Sequence, residues 1–267
     1  MRIDCGAKIV RCTGCDFVYV NPQPTAQELS LIYSQEYYPM TSQDVGQALR
    51  SRLPVFQNSI QKLGKLAKPG RLLDQGCGTG DFVELAQQAG WDAQGIDLSE
   101  SAVRFAASKG LKVDLGTLES NQYPTESFDV VTLWDVLEHL PNPRHEIEQI
   151  HRVLRVGGLL VIRVPNTNFQ LLKAFVREDL FKAPHDSLQA NFHVNHFSPK
   201  TLRNLLEMQG FEVFEEEAGV SEDVVHREHI PLKFKKIYCG FARALQSITS
   251  LQVGPTMVFY GRKIPSR

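Results

Sequence analysis

The sequence predicts a doubly wound α/β fold, a parallel sheet covered by helices on both faces. Three observations predict it. From residue 71 onward, short apolar runs alternate with amphipathic stretches of helix length. The first apolar run, Arg71–Asp74, passes straight into a glycine-rich turn and then a helix. The 267 residues are 42% hydrophobic, enough to bury a sizeable core and too apolar for a disordered chain. The length suits one domain with a smaller appendage.

The elements follow in order. Phe17–Val20 alternates like a strand, and the breaker cluster Asn21–Pro24 ends it. Thr25 and Glu28 have capping-box spacing, which starts a helix bearing Leu29, Ile32 and Tyr33 on one face. A longer helix is expected from Gln43 to Ala67, ended by Lys68–Gly70. Strand Arg71–Asp74 is followed by a helix to Gln88, and strand Ala93–Ile96 by Asp97. Ser99 is an N-cap for a helix to Lys109, which Gly110 ends. Strands Leu111–Asp114 and Phe128–Leu133, helix Arg144–Leu154 and strand Leu159–Val164 come next, with Gly157–Gly158 as the turn before that strand. A helical stretch from Phe169 to Phe181 leads to a polar, His-rich loop. Ser198 and Pro199 then open a helix that Gly210 closes. Strand Phe211–Phe214, a basic amphipathic helix near 231–248 and a last strand, Thr256–Tyr260, complete the series. The basic helix reads as a solvated face opposite a core face.

Charge and composition exclude several classes. A net charge of -1 leaves no basic footprint for nucleic acid. No apolar run approaches the roughly 18 residues of a spanning helix, so no integral membrane segment is expected. Residues 1–8 have no hydrophobic stretch of signal-peptide type, and five Cys form no even disulfide set. A reduced, cytoplasmic setting follows.

The chemistry concentrates in Asp74–Gly80. Glycine permits positive φ and close backbone approach, and the helix start offers free amides. A dinucleotide loop would read G-x-G-x-x-G; here Gly76, Gly78 and Gly80 are spaced G-x-G-x-G, and Asp81 stands where the last Gly would be. Asp74, two residues before the turn, repels a pyrophosphate and attracts a cation. A nucleoside with a cationic amino-acid tail fits. Asp97, 23 residues after Asp74, suits both ribose hydroxyls.

Asp74–Gly80, Asp97, Phe128–Val131, Glu138–Leu140 and Gly157–Gly158 together resemble the class I S-adenosylmethionine-dependent methyltransferases. The resemblance covers about residues 70–165 strongly and the rest loosely. It implies a Rossmann-like, seven-stranded sheet with the last strand antiparallel, and S-adenosylmethionine (product S-adenosylhomocysteine) at the carboxyl ends of the first strands. Carried over, Asp74, Gly76, Cys77, Gly78 and Gly80 hold the methionine part, and Asp97 with Leu98 the ribose side. In the family an acid after the third strand often meets the adenine amine. Thr117 stands there here, so backbone near Leu118 takes the role. Trp134 and Asp135 lie beside the sulfonium, where Trp134 either walls the cofactor or packs on the next helix.

One helical turn puts Asp135, Glu138 and His139 on one face. The pattern is similar to the ubiquinone-type O-methyltransferases, which use it for magnesium. A structural or cofactor-supporting role is favoured over magnesium, with His139 the first candidate base. His185, His193 and His196 cluster in the segment of about 165–197, which is expected to cover substrate; His193 and His196 are further base candidates. Cys12 and Cys15, followed by Phe17–Pro24, resemble a zinc-ribbon-like prefix. With Cys5 they give three ligands where structural zinc takes four. Cys77 and Cys239 carry no nucleophile role.

The expected layout is thus a partial zinc-ribbon-like segment over 1–24, a helical extension over 25–70, and a methyltransferase domain from 71 to 267. The expected activity is methyl transfer to a small molecule, oxygen favoured over nitrogen or carbon. A non-catalytic cofactor-binding protein and, more remotely, a nicotinamide-dependent dehydrogenase are the alternatives. The acceptor and the oligomeric state are not readable from sequence.

Overall fold

The computed structural model describes residues 8–25, 28, 42–175, 193–219 and 254–265. The basic helix near 231–248, Cys5, Cys239 and His185 lie outside the described residues, as does most of the helix expected from Thr25. Its capping box is present: Thr25 N and Oγ1 donate to Glu28 Oε2 at 2.7 and 2.8 Å, and Glu28 N donates back to Thr25 Oγ1 at 3.2 Å.

The elements in chain order are strands β1 (Lys8–Arg11) and β2 (Val18–Asn21), then helix α1 (Ser42–Leu66). Alternation follows: β3 (Arg71–Gln75), α2 (Asp81–Gln88), β4 (Asp92–Asp97), α3 (Glu100–Ser108), β5 (Val113–Leu115) and β6 (Phe128–Trp134). After a 3-10 turn at Leu137–His139 come α4 (Pro143–Val153), β7 (Leu154–Pro165), α5 (Thr167–Phe175), β8 (Asn195–His196), α6 (Pro199–Met208), β9 (Phe211–Gly219) and β10 (Thr256–Lys263). Ser99, Asn142 and Ser198 cap α3, α4 and α6 through side-chain oxygens, as short polar residues do at helix starts.

Seven strands form the main sheet in the order β5-β4-β3-β6-β7-β10-β9. The first five pair in parallel. β10 runs antiparallel to both β7 and β9, so the last strand is antiparallel as expected. Strand alternation sends successive residues to opposite faces. Leu72, Val130, Val161 and Tyr260 join Phe56, Leu63 and Phe82 on the α1–α2 face. Leu73, Val131, Ile162 and Phe259 join Ile147, Ile150 and Leu202 on the α4–α6 face. Both faces are buried, which is why the central strands read as continuous apolar runs. Helix α1 shares this core: Phe56 stacks 5.2 Å from Phe82 and 5.2 Å from Trp134.

Two strands of the main sheet begin away from the residues expected. β7 starts at Leu154, and Gly157–Gly158 is an irregularity inside it rather than the turn before it. Pairing slips from Phe128↔Leu154 to Val130↔Leu159. Gly157 has φ +77, and a Cβ on Gly158 would sit 2.8 Å from Arg155 O. β5 starts at Val113 rather than Leu111, because Leu111 N still closes α3 on Ala106 O at 3.3 Å.

A second sheet of three strands has the order β1-β2-β8. Hairpin β1–β2 reaches across to β8 through Val18↔His196 and Tyr19↔Asn195. Val20 N donates to Val194 O at 2.9 Å, and Phe17 packs 5.1 Å from Phe197.

Candidate active site

Parallel strands direct their carboxyl ends to one edge of the sheet, where loops leave a crevice. An open cleft lies there. Gln75 and Gly76 after β3, Asp97–Ser99 after β4, Gly116 and Thr117 after β5, and Trp134–Val136 after β6 line it. Arg52, His139, Leu140 and Glu146 complete the wall.

The glycine turn is built by backbone constraint. Gly76, Gly78 and Gly80 all have positive φ. A Cβ on Gly76 would lie 2.4 Å from Val136 Cγ2. Asp97 ties the turn to β4: its Oδ2 accepts from Gly78 N and its Oδ1 from Ser99 N, each at 2.8 Å. Burial raises its pKa against the lowering effect of those amides. Each carboxylate oxygen can still accept a second donor, such as a ribose hydroxyl.

Several expected cofactor residues lie behind the cleft wall. Asp74 is 1% exposed inside β3, where Thr132 Oγ1 donates to its Oδ1 at 2.6 Å. Burial pushes its pKa up to about 8, against the Thr132 bond. Cys77 turns its thiol onto Gly95, where a Cβ would lie 2.4 Å from Sγ, and burial raises its pKa. Gly80 packs beside Leu111 and Ala106 as the N-cap of α2. Leu118 is a core residue, 1% exposed, so its side chain belongs to the interior. Thr117 accepts from Ser120 N at 3.1 Å through its hydroxyl, capping its own turn.

Trp134 lines the cleft and packs 4.8 Å from Phe82 of α2. Asp135 adopts φ +57 and turns to Arg163 Nη1 at 3.1 Å and Arg52 Nη2 at 3.8 Å. It therefore leaves the expected face with Glu138 and His139. The residue that joins them is His193, 54 positions after His139 in the chain. Ligand atoms of Glu138, His139 and His193 all lie within 4.8 Å of one another. The His139 and His193 rings meet edge-on at 4.8 Å, and His139 Nε2 lies 4.0 Å from Glu138 Oε1. Glu138 is 1% exposed, and neither carboxylate oxygen has a hydrogen-bond partner. Burial, then Asp135, raises its pKa well above the usual range. Burial and the neighbouring His139 and His196 push His193 down to about 3. His196 is 3% exposed in β8 and lies outside the cleft wall.

The small sheet holds this cluster together. Val194 N donates to Glu138 O at 3.0 Å, and Asn195 Nδ2 to Leu140 O at 2.5 Å. An orphaned buried carboxylate beside two imidazoles fits a divalent cation. One oxygen and two nitrogens suit a transition ion better than magnesium, which favours oxygen ligands. For zinc at the prefix, Cys12 and Cys15 flank the β1–β2 turn, but among the described residues no third ligand joins them.

Sequence reading missed Arg52, Gln75, Arg163 and Glu146. Arg163 carried a signal, being a charge inside the apolar run of β7. Gln75 carried one too, as a polar residue between a buried strand and the glycine turn. Arg52 and Glu146 carried none, since each sits among other polar residues on a helix.

The fold and this crevice are those of an α/β protein of methyltransferase type. Residues 49–216 match the family described as "Methyltransferase domain", and the chain belongs to that family. It is 34% identical over 122 residues to a "Ubiquinone biosynthesis O-methyltransferase" of Bordetella avium, covering 43% of this chain and 51% of the relative. It is 30% identical over 162 residues to a "Probable S-adenosylmethionine-dependent methyltransferase" of Mycolicibacterium smegmatis, covering 60% and 58%. The chain thus matches little more than half the length of these curated relatives. In fold it is similar to a SAM-dependent methyltransferase of Thermotoga maritima, with TM-score 0.59 and 18% identity over 88% of this chain and 99% of that one.

Proposed function

We propose that the protein binds S-adenosylmethionine and transfers its methyl group to a small-molecule acceptor, with oxygen the favoured nucleophile. One observation carries this reading: Asp97 stands beside the positive-φ glycine turn at the rim of an open cleft. The relatives named for O-methylation support the oxygen. The dehydrogenase alternative is disfavoured because Asp81 and Glu84 occupy the first turn of α2, where a dinucleotide pyrophosphate would sit.

The chemistry asks mainly for alignment. The acceptor oxygen attacks the methyl carbon, the carbon–sulfur bond breaks, and its electron pair returns to sulfur as a neutral thioether. Trp134 walls the reacting region, and Arg163 fixes Asp135 beside it. With no cation bound, His139, on the cleft wall, takes the acceptor proton. Glu138, His139 and His193 would hold a divalent transition cation, which when bound lowers the pKa of a nearby hydroxyl.

Calorimetry with S-adenosylhomocysteine tests the cofactor reading; a folded protein that binds none at millimolar ligand would overturn it. Transfer of labelled methyl to a panel of alcohols, phenols and amines separates an enzyme from a non-catalytic binder. For the cation, manganese(II) titration followed by electron paramagnetic resonance should show binding that His193→Ala abolishes. No bound manganese in the native protein leaves His139 as base alone.

A further inference from the structure

Among the described residues that line the cleft, Arg52 of α1 is the one lysine or arginine. Its side chain is 41% exposed. A guanidinium is a planar fork of donors, charged at any physiological pH, that matches the two oxygens of a carboxylate or phosphate. Arg52 Nη2 lies 3.8 Å from Asp135 Oδ2, beyond hydrogen-bond distance, whereas Arg163 Nη1 lies 3.1 Å from the same oxygen. Two guanidiniums thus share one carboxylate, and the trio carries a net positive charge. The other acids of the wall are engaged elsewhere. Asp97 accepts from Gly78 N and Ser99 N, and Glu146 Oε1 accepts from the Gln75 amide.

The order of strands decides what that charge faces. With the ribose at Asp97 after β4 and the methionine part at the turn after β3, the cofactor lies over those two strands. β6 and then β7 come next in the sheet. Arg52 stands on their side, beside Asp135 after β6 and, through it, Arg163 of β7. That side lies past the reacting sulfur, where an acceptor has to enter. His139 lines the same wall, and Trp134, Val136 and Leu140 give it apolar surface. The acceptor side therefore combines one cationic fork with an apolar wall, the combination that suits an organic anion.

We propose, resting on the cofactor reading above, that Arg52 anchors an oxyanion of the methyl acceptor, so that the acceptor is a small organic acid with a carboxylate or phosphate on an apolar body. The test uses the protein saturated with S-adenosylhomocysteine and titrated with benzoate, phenyl phosphate and the neutral isostere benzamide, with binding read by calorimetry. The native complex should bind at least one of the anions about tenfold or more tighter than benzamide, the scale of a charge-assisted hydrogen bond. Which anion binds tighter tells a carboxylate acceptor from a phosphate one. Arg52→Gln should bring anions and amide to within about twofold of each other, while S-adenosylhomocysteine affinity stays within about twofold of native. Arg52→Lys, which keeps the charge and loses the fork, should retain part of the preference. An anion preference that is absent from the native complex, or unchanged in Arg52→Gln, overturns the proposal and leaves the cofactor reading intact. A larger loss of S-adenosylhomocysteine affinity in that variant also overturns it, because the guanidinium then serves the cofactor's own carboxylate. A folded native protein that binds no S-adenosylhomocysteine overturns both readings together.

Discussion

The two sides of the cleft are built in opposite ways. On the cofactor side, the strand, the glycine turn and Asp97 fall within 27 consecutive residues, and hydrogen bonds between neighbouring strand ends fix their geometry. On the far side, Glu138, His139 and His193 meet only because β2 captures β8 across some 175 residues of chain. The first side is a local motif on a rigid sheet edge. The second is an assembled site whose precision depends on a hairpin remote in sequence. Chemistry of the first kind survives rearrangement elsewhere, whereas chemistry of the second kind is lost whenever the clamp loosens.

The sharpest test of that division compares two variants. Asp97→Ala should weaken S-adenosylhomocysteine binding about 10- to 150-fold, from the loss of charged hydrogen bonds worth about 1.5–3 kcal/mol. Glu138→Gln should leave it within about twofold while reducing methyl transfer. Comparable losses of ligand affinity in both variants would break the division.

The next effect is a pH dependence that arises on the cofactor side. Asp74 has a folded pKa near 8 against an ordinary 3.8, so between those values the native state holds a proton that the unfolded state lacks. Stability from this group is therefore full at low pH and falls as pH rises toward 8, by up to about 1.4 kcal/mol per pH unit. Asp74→Asn should flatten that stretch of a denaturation profile. An unaltered slope would show that Asp74 ionises freely in the fold.

On the assembled side, Val20→Ala removes two buried methyls from β2 and should cost about 1–2 kcal/mol. Amide exchange at Val194 should quicken, with S-adenosylhomocysteine affinity unchanged. Slower or equal exchange would separate the hairpin from the His193 segment. The smallest effect belongs to the exposed Lys200–Asp16 pair, 3.1 Å apart, that links α6 to the hairpin. Lys200→Ala should change stability by no more than about 0.5 kcal/mol in denaturant titration.

The same contrast explains what the sequence could reveal. The βα alternation, the seven-stranded family topology, the caps at Ser99 and Ser198 and the glycine turn were legible because each is a short-range pattern. The cleft lining was legible where it is contiguous, at Gly76, Asp97 and Trp134–Asp135. It is not legible where burial decides: Asp74 sits inside β3, and Leu118 carries a core side chain, which leaves the backbone role expected near it untouched. Asp135 does not join Glu138 and His139: it pairs with Arg163 from the adjacent strand and has φ +57. Its replacement, His193, was seen as a candidate but without its partners, because strand pairing across the fold leaves no mark in local spacing.

The placement of β10 bears on how the molecule is made. Residues 256–263 do not close the sheet from outside but slot between β7 and β9, donating and accepting along both. During synthesis the ribosome must release Lys263 before either neighbour is paired on that side. Until then the nascent chain carries two open β edges flanked by apolar surface, the condition in which strands find wrong partners. The finished sheet thus depends on β10, and a chain halted near Gly254 is a species in need of a chaperone.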